Sequence, residues 1–526
     1  MKKFYFILFI LSLFSLEAQV EIVNSEVNMT FQPLKTANGL YFTGSNADIG
    51  IEPYFFDGTD VVNLKDINLG TSNSWANGFF EYQGKIYFNA INTANNSELY
   101  ITDGTESGTI LFKEINLSPT DGSYPSDFII LNNDLIFTAR ENGANAELFT
   151  SDGTETGTTL LKEILPGSQY GSNPSLKTLF NGLVYFNASN GGGASNNGFE
   201  LWVTDGTNSG TNLFYDINPG NSSSYPQSLH VHNGLLFFQA DDGVNGLELW
   251  VTDGTTSGTF MFADINPGAS DGLIAETKFY SVQDKMFFEA NDGTNGRELW
   301  VYDSNTNSVQ MVADINSSGD SFPNGFMELN GNLFFSATDG INGAELFKLD
   351  LITNQVSIFD INPTGSSFAT IGALLNNRIY FAADDGTNGR ELWVTNGTVT
   401  GTAMVADLEP GSASSFPDYL TAFNGELIFS TTNSIYKFND AVLGLNNIEN
   451  DGFRIKLYPN PTSSYFQINS KTEIVSIEVF DTLGKQVKVF NKNQNHYDIS
   501  LLGSGLYILK IKTLEGVISK KLMISE

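Results

Sequence analysis

From Pro226 onward the chain breaks into four short apolar runs, SLHVHNG, LLFFQADDG, LELWVTDG and TFMFADINPG, each closed by Gly, Asn, Asp or Pro. Short Val/Leu/Phe-rich runs between such residues predict strands joined by turns. Four in succession predict an antiparallel meander. The second run returns as IYFNA (86–90), LIFTA (135–139), VYFNA (184–188), LFFQA (236–240), MFFEA (286–290), LFFSA (333–337) and IYFAA (379–383). Neighbouring positions in it are apolar, so both faces of the strand are expected to be buried. The third run carries Glu-Leu-aromatic, with the glutamate at 98, 147, 200, 248, 298, 345 and 391. Steps of 46 to 53 residues lie in the range of repeat folds.

A meander of this length whose inner strands are covered on both sides fits a propeller blade, which packs a neighbour on each face. Abundant Phe, Tyr, Ile and Val with 51 glycines argues against a helical array. Further copies of the buried run at GLYFTG (39–44) and ELIFS (426–430) bring the number to nine. The ninth unit stops after SIYKF (434–438) without a fourth strand, and VEIVN (20–24) is the candidate to supply it and leave no open edge. The expected fold is all-β: a β-propeller of eight or nine four-stranded blades, followed by a small immunoglobulin-like β-sandwich.

Composition adds compartment. Residues 1–18 hold Lys2 and Lys3, an apolar run from Phe4 to Phe14 and a small residue, Ala18, before Gln19. This reads as a secretory signal peptide, too short to span a bilayer. No later apolar run is long enough to predict a transmembrane segment after its cleavage. The chain has no cysteine, which excludes disulfides, thiolate metal sites and a cysteine nucleophile. Net charge is −33 overall, yet residues 19–451 hold 14 Lys and Arg against 52 Asp and Glu, a net −38, whereas 452–526 hold 10 against 6, a net +4. The change of sign marks a domain boundary. So acidic a body repels nucleic acid and anionic lipid, which removes nucleic acid from the expected partners.

The repeated polar residues have structural uses first. In D-G-T hairpins the Asp caps the turn and the Gly takes a positive φ. The loops ahead of the repeated glutamates offer oxygen ligands of the kind calcium takes. These are Asp242, Asn245 and Glu248; Asp292, Asn295 and Glu298; Asp339, Asn342 and Glu345; and Asp385, Asn388 and Glu391. Their spacing departs from an EF-hand loop, and the competing reading is buried hydrogen bonding of the glutamate. No other cofactor is expected. His230 and His232 alternate on one strand without a third ligand nearby, and His496 lies in the other domain. No catalytic residue stands out, because the acids are too many to single out a pair. Two loops break the repeat, 189–200 (SNGGGASNNGFE) and 270–278 (SDGLIAETK), the second where other units have an aromatic-Pro step.

After NNIENDG (446–452) come alternating runs KLYPNPTSSYFQI (456–468), VSIEVFDTLGKQVKVF (475–490) and ISLLGSGLYILKIKTLEGVISKKLMI (499–524), the pattern of a small antiparallel sandwich. The words Tyr458, Pro459, Asn460, Pro461, then Gly484 and Lys485, Gly505 and Tyr507, and Lys520 and Lys521 resemble the type A C-terminal sorting domain of the bacterial type IX secretion system. The repeats, such as ELWVTDGT at 200–207 and 248–255, resemble the ELWxxDGT repeat family. The two resemblances imply a leader at 1–18, a propeller at 19–445, a linker at 446–455 and a sorting domain at 456–526. They also imply type IX secretion machinery as a partner, and a product that is secreted or held on the outer surface of the outer membrane. For the propeller the expectation is a glycan- or protein-binding module without catalysis, as in adhesion. The alternatives are a polysaccharide-acting hydrolase or lyase with carboxylates in the propeller mouth, and a calcium-stabilised structural surface protein.

Overall fold

The computed structural model describes residues 20–440 and 456–524, apart from 119–120, 142, 144, 167–170, 190, 192–197, 221, 459–461, 470–473, 481–484, 491–493, 495 and 514–515. The leader at 1–18, the linker at 446–455 and part of the 189–200 loop fall outside the described residues. The chain divides into two compact units, with the boundary in sequence between Asn439 and Asp440.

In the first unit the period-2 pattern becomes nine antiparallel sheets among the described residues. In the fifth, the strand Leu235–Asp241 lies between Gln227–His232 and Leu247–Thr252, and Phe260–Ala263 closes the outside. Its register sets Ala240 opposite Glu248 and Phe238 opposite Trp250. The apolar doublets explain why such sheets stack. Leu236 and Phe238 pack with Phe180, Tyr185 and Leu201 of the fourth sheet, while Phe237 between them packs with Met286 and Phe288 of the sixth. All three are fully buried, and each buried side chain of this size contributes about 1.5–3 kcal/mol.

The ring closes as the pattern predicts. Val20–Asn24 is the outermost strand of the ninth sheet, beside Ile435–Phe438, Glu426–Ser430 and Asp418–Phe423. Val20 pairs with Phe438 and Glu21 with Lys437, whose ammonium stands 3.1 Å from the Glu21 carboxylate. Phe423, Ile428 and Ile435 of this sheet share a core with Val27, Leu40, Phe42 and Phe56 of the first, so the last blade packs on the first. The first unit is thus, over its described residues, a nine-bladed propeller. In the first blade two short pieces, Val27–Met29 and Leu34–Lys35, share the innermost position against Leu40–Asn46.

Among its described residues the second unit has two sheets. One holds Lys456–Tyr458, Tyr465–Asn469 and Tyr497–Asp498; the other holds Gln486–Phe490, Ile474–Phe480, Gly505–Thr513 and Gly516–Ile524. Phe466, Ile477, Tyr497, Leu509 and Leu522 form its core. No helix among the described residues is long and apolar enough to cross a membrane.

Candidate binding face

An up-and-down blade puts its connections at two ends. The first-to-second and third-to-fourth turns share one face of the ring. The second-to-third loops, and the links to the next blade, share the other.

The repeated glutamates build the second face from inside. In the fourth blade Glu200 is fully buried; its Oε2 accepts from the Ile217 amide at 2.8 Å and the Ser224 hydroxyl at 2.6 Å, and its Oε1 from the Ser224 amide at 3.0 Å. One carboxylate therefore holds both halves of the link to the fifth blade. Glu98 does the same with Ile115 and Ser123, Glu147 with Ile164 and Ser172, and Glu391 with Leu408 and Ser415. Burial pushes Glu200 and Glu248 up to about 7, against the pull of these hydrogen bonds.

Two parts of this device have no signal in the Glu-Leu-aromatic word. Glu52, in the sequence Ile-Glu-Pro, is an eighth copy, accepting from the Ile67 amide at 2.9 Å and the Ser74 amide at 3.0 Å. The serine partners lie 22 to 25 residues beyond their glutamates. The departure at 270–278 also has its reason: Gly272 takes the serine position, where a Cβ would lie 2.5 Å from both oxygens of Glu248.

The structure divides the calcium candidates. Asp242 accepts from the Val244 and Asn245 amides at 2.9 Å each and from the Asn245 side chain at 2.8 Å. Asp292 with Asn295, Asp339 with Asn342, and Asp385 with Asn388 repeat the arrangement. Burial opposes ionisation of these aspartates, but the hydrogen bonds together outweigh it and hold each below its ordinary pKa. Glu248, Glu298, Glu345 and Glu391 do not join them, since their carboxylates are bonded to the Ile265, Ile315, Ile361 and Leu408 amides. In each loop the aspartate is thus bonded within its own turn and the glutamate to the link amides, the buried hydrogen bonding weighed against calcium from the sequence. Among the described residues no three Asp, Glu or His side chains gather in a metal-holding group.

On the opposite face, Asp253 accepts from the Thr255 amide at 2.8 Å and hydroxyl at 2.7 Å, and Gly254 takes φ 95°. Asn181 of the fourth blade donates to the Asp253 carbonyl, and Asn132 of the third to that of Asp205. The D-G-T hairpin is a stitch between blades. His230 Nε2 and His232 Nδ1 stand 2.7 and 2.9 Å from the same Ser281 hydroxyl on the neighbouring innermost strand, and burial lowers the pKa of both. His496 Nε2 lies 2.7 Å from the Gln467 amide in the second unit. Sequence reading passed over Lys177, fully buried, whose ammonium meets Asp127 at 2.9 Å and the Thr138 hydroxyl at 2.6 Å between the third and fourth blades.

Directly after six of the latch serines stand Trp75, Tyr124, Tyr225, Phe322, Phe368 and Phe416, each two residues ahead of an innermost strand. All six have φ between 47° and 52°, and they are 40 to 62% exposed. They therefore lie on the glutamate-latched face, on the links that lead into the innermost strands. Sequence reading noted this aromatic step only where it is lost. Its signal is an aromatic immediately after the serine that closes six of the units.

In the second unit Tyr458 is exposed opposite Gln467, Lys485 precedes the strand Gln486–Phe490, and Gly505 opens the strand paired with the C-terminal one. The Tyr507 hydroxyl donates to the Gly503 carbonyl at 2.9 Å, Lys520 is opposite Leu509, and Lys521 is opposite Ile508. Pro459, Asn460, Pro461 and Gly484 lie outside the described residues.

Residues 456–525 match the secretion system C-terminal sorting domain. The second unit is a type IX sorting domain. It marks the chain for secretion or attachment to the cell surface and implies contact with the type IX machinery. No curated relative matches the sequence. Among solved structures, PorZ, a surface component of the type IX secretion system of Porphyromonas gingivalis, is similar at 13% identity over 95% of this chain and 75% of its own, with TM-score 0.33. BamB from Moraxella catarrhalis is similar at 11% identity over 80% of this chain and 98% of its own, with TM-score 0.36. A puromycin hydrolase is similar at 16% identity over 67% of this chain, with TM-score 0.37, and this chain spans 57% of its length.

Proposed function

We propose that this is an exported binding protein. A leader at 1–18 directs passage of the inner membrane, the sorting domain directs passage of the outer membrane, and the propeller, an ELWxxDGT-type array at 19–445, binds a glycan or protein ligand without catalysis. The observation that carries the binding reading is the use of the repeated acids. The latch glutamates and loop aspartates are engaged by amides and hydroxyls of their own blades, so the repeat serves the scaffold. Exposed on the links of the same face is a set of aromatic side chains. Binding sites held on rigid scaffolds are commonly placed on such connecting segments.

The test is a glycan array probed with the purified full chain, with and without calcium, followed by product analysis on any polysaccharide retained. Retention without new reducing ends or unsaturated products is the expected result. Product formation would replace the binding reading with the hydrolase or lyase one, and calcium-dependent retention would bring the aspartate loops back as metal sites.

A further inference from the structure

We infer that the ring of exposed aromatics is a row of stacking platforms for a neutral polysaccharide chain; this rests on the binding reading above and names its site and ligand class. Three observations carry it. The first is asymmetry: Trp75, Tyr124, Tyr225, Phe322, Phe368 and Phe416 all belong to the latched face, whereas among the described residues the D-G-T hairpins hold one exposed aromatic, Phe260, at the start of the strand after its turn. The second is backbone cost. A left-handed φ disfavours bulky side chains, and the fourth blade shows that the position accepts an asparagine, Asn173, at φ 48°. Six aromatics where asparagine would sit more easily are there for their rings. The third is how the rings are held. The Arg140 guanidinium lies 4.8 Å from the centre of the Tyr124 ring, Arg297 lies 5.6 Å from Phe322, and Phe199 stacks on Tyr225 at 5.7 Å. A ring backed on one side and open on the other is a platform.

The spacing selects the occupant. One ring per blade, with none of the six packed on another, suits a ligand that is itself a chain of rings, each offering an apolar face of C–H groups to one aromatic and its hydroxyls to the backbone between. A folded protein partner needs a continuous contact of about 800 Å² per side with an apolar centre, and isolated rings parted by polar backbone do not form one. The body's net charge of −38 disfavours anionic chains. Phe322, Phe368 and Phe416 precede the seventh, eighth and ninth blades in succession and make the longest unbroken arc.

The experiment is affinity electrophoresis of the full chain in gels containing glucan, mannan, xylan or, as the anionic control, polygalacturonate. The variant is F322N/F368N/F416N, chosen because asparagine tolerates the left-handed backbone; I352N/V399N on the opposite face is the companion, and thermal unfolding checks that both fold. Retardation by at least one neutral polysaccharide, weakened ten-fold or more in the arc variant and unchanged in the companion, is the expected result. Should the arc variant unfold, W75N and Y225N singly, on other blades, must each weaken retardation. Retardation that survives loss of the arc overturns the platform assignment while leaving a binding protein. Retardation by polygalacturonate alone, or by none of the four, overturns the ligand class. Cleavage of a retarding polysaccharide removes the non-catalytic reading and leaves the platforms standing.

Discussion

The Ser224 hydroxyl donates to Glu200 at 2.6 Å across 24 residues of chain, and this one contact fixes where the fourth blade ends and the fifth begins. Repeated round the ring, it turns an array of sheets into a face with a fixed rim. The same carboxylate accepts amides from both halves of the link, so the acid organises more backbone than the serine does.

Removing the acid therefore costs more than removing its partner. Glu200→Ala strands the Ile217 and Ser224 amides in a dry interior and is expected to cost about 3 kcal/mol; Ser224→Ala, which leaves the amide bonds, about 1 kcal/mol. Urea unfolding of both variants gives the order, and equal losses would contradict it.

The latch also sets a pH dependence. Burial raises the pKa of Glu52, Glu98, Glu147, Glu200, Glu248, Glu298, Glu345 and Glu391, with Glu52, Glu200 and Glu248 reaching about 7. The folded chain then holds protons that the unfolded chain has released, so this stability is present below the ordinary glutamate range and is lost as pH rises toward 7. The hairpin aspartates Asp103, Asp152, Asp205 and Asp253, lowered by hydrogen bonds from their threonines, act oppositely and lose stability only in stronger acid. Thermal midpoints between pH 5 and 7.5 should fall with rising pH, less steeply in Glu200→Gln.

Gly272 gives a sharp reversal of the repeat rule. Seven other links have a serine in its place, yet Gly272→Ser puts a Cβ 2.5 Å from both Glu248 oxygens and is expected to destabilise by about 2 kcal/mol. A neutral or stabilising result in thermal unfolding would mean that this link can relax onto the path of the others.

Ring closure rests on five residues. Deleting Val20–Asn24 leaves the ninth blade with three strands and exposes the unpaired edge of Ile435–Phe438. An exposed edge recruits other chains, so size-exclusion chromatography should show self-association together with a lowered unfolding temperature.

Lys177 is the buried cation most exposed to loss of its partner. Burial lowers its pKa, and Asp127 offsets part of that. Asp127→Ala leaves the ammonium buried and unpaired, at an expected cost of about 3 kcal/mol, whereas Lys177→Met, which removes the charge, should cost less in the same unfolding assay.

The sequence by itself determined the blade. Doublets such as Leu236-Phe237 place apolar side chains on both faces of a strand whose residues alternate, which requires a neighbour on each side, and VEIVN was recognisable as the strand the ninth unit lacks. The sorting domain was legible for a similar reason, because its words follow one another along the chain. Tertiary structure alone decided the rest. Glu200 reaches Ser224 and Asp127 reaches Lys177 across loops and between blades, and Glu52 joins the latch without its word. Side-chain periodicity is local and survives in a string of letters. Hydrogen-bond partners, and the exposure of Phe368 or Trp75, are set by which distant backbone the closed ring brings alongside.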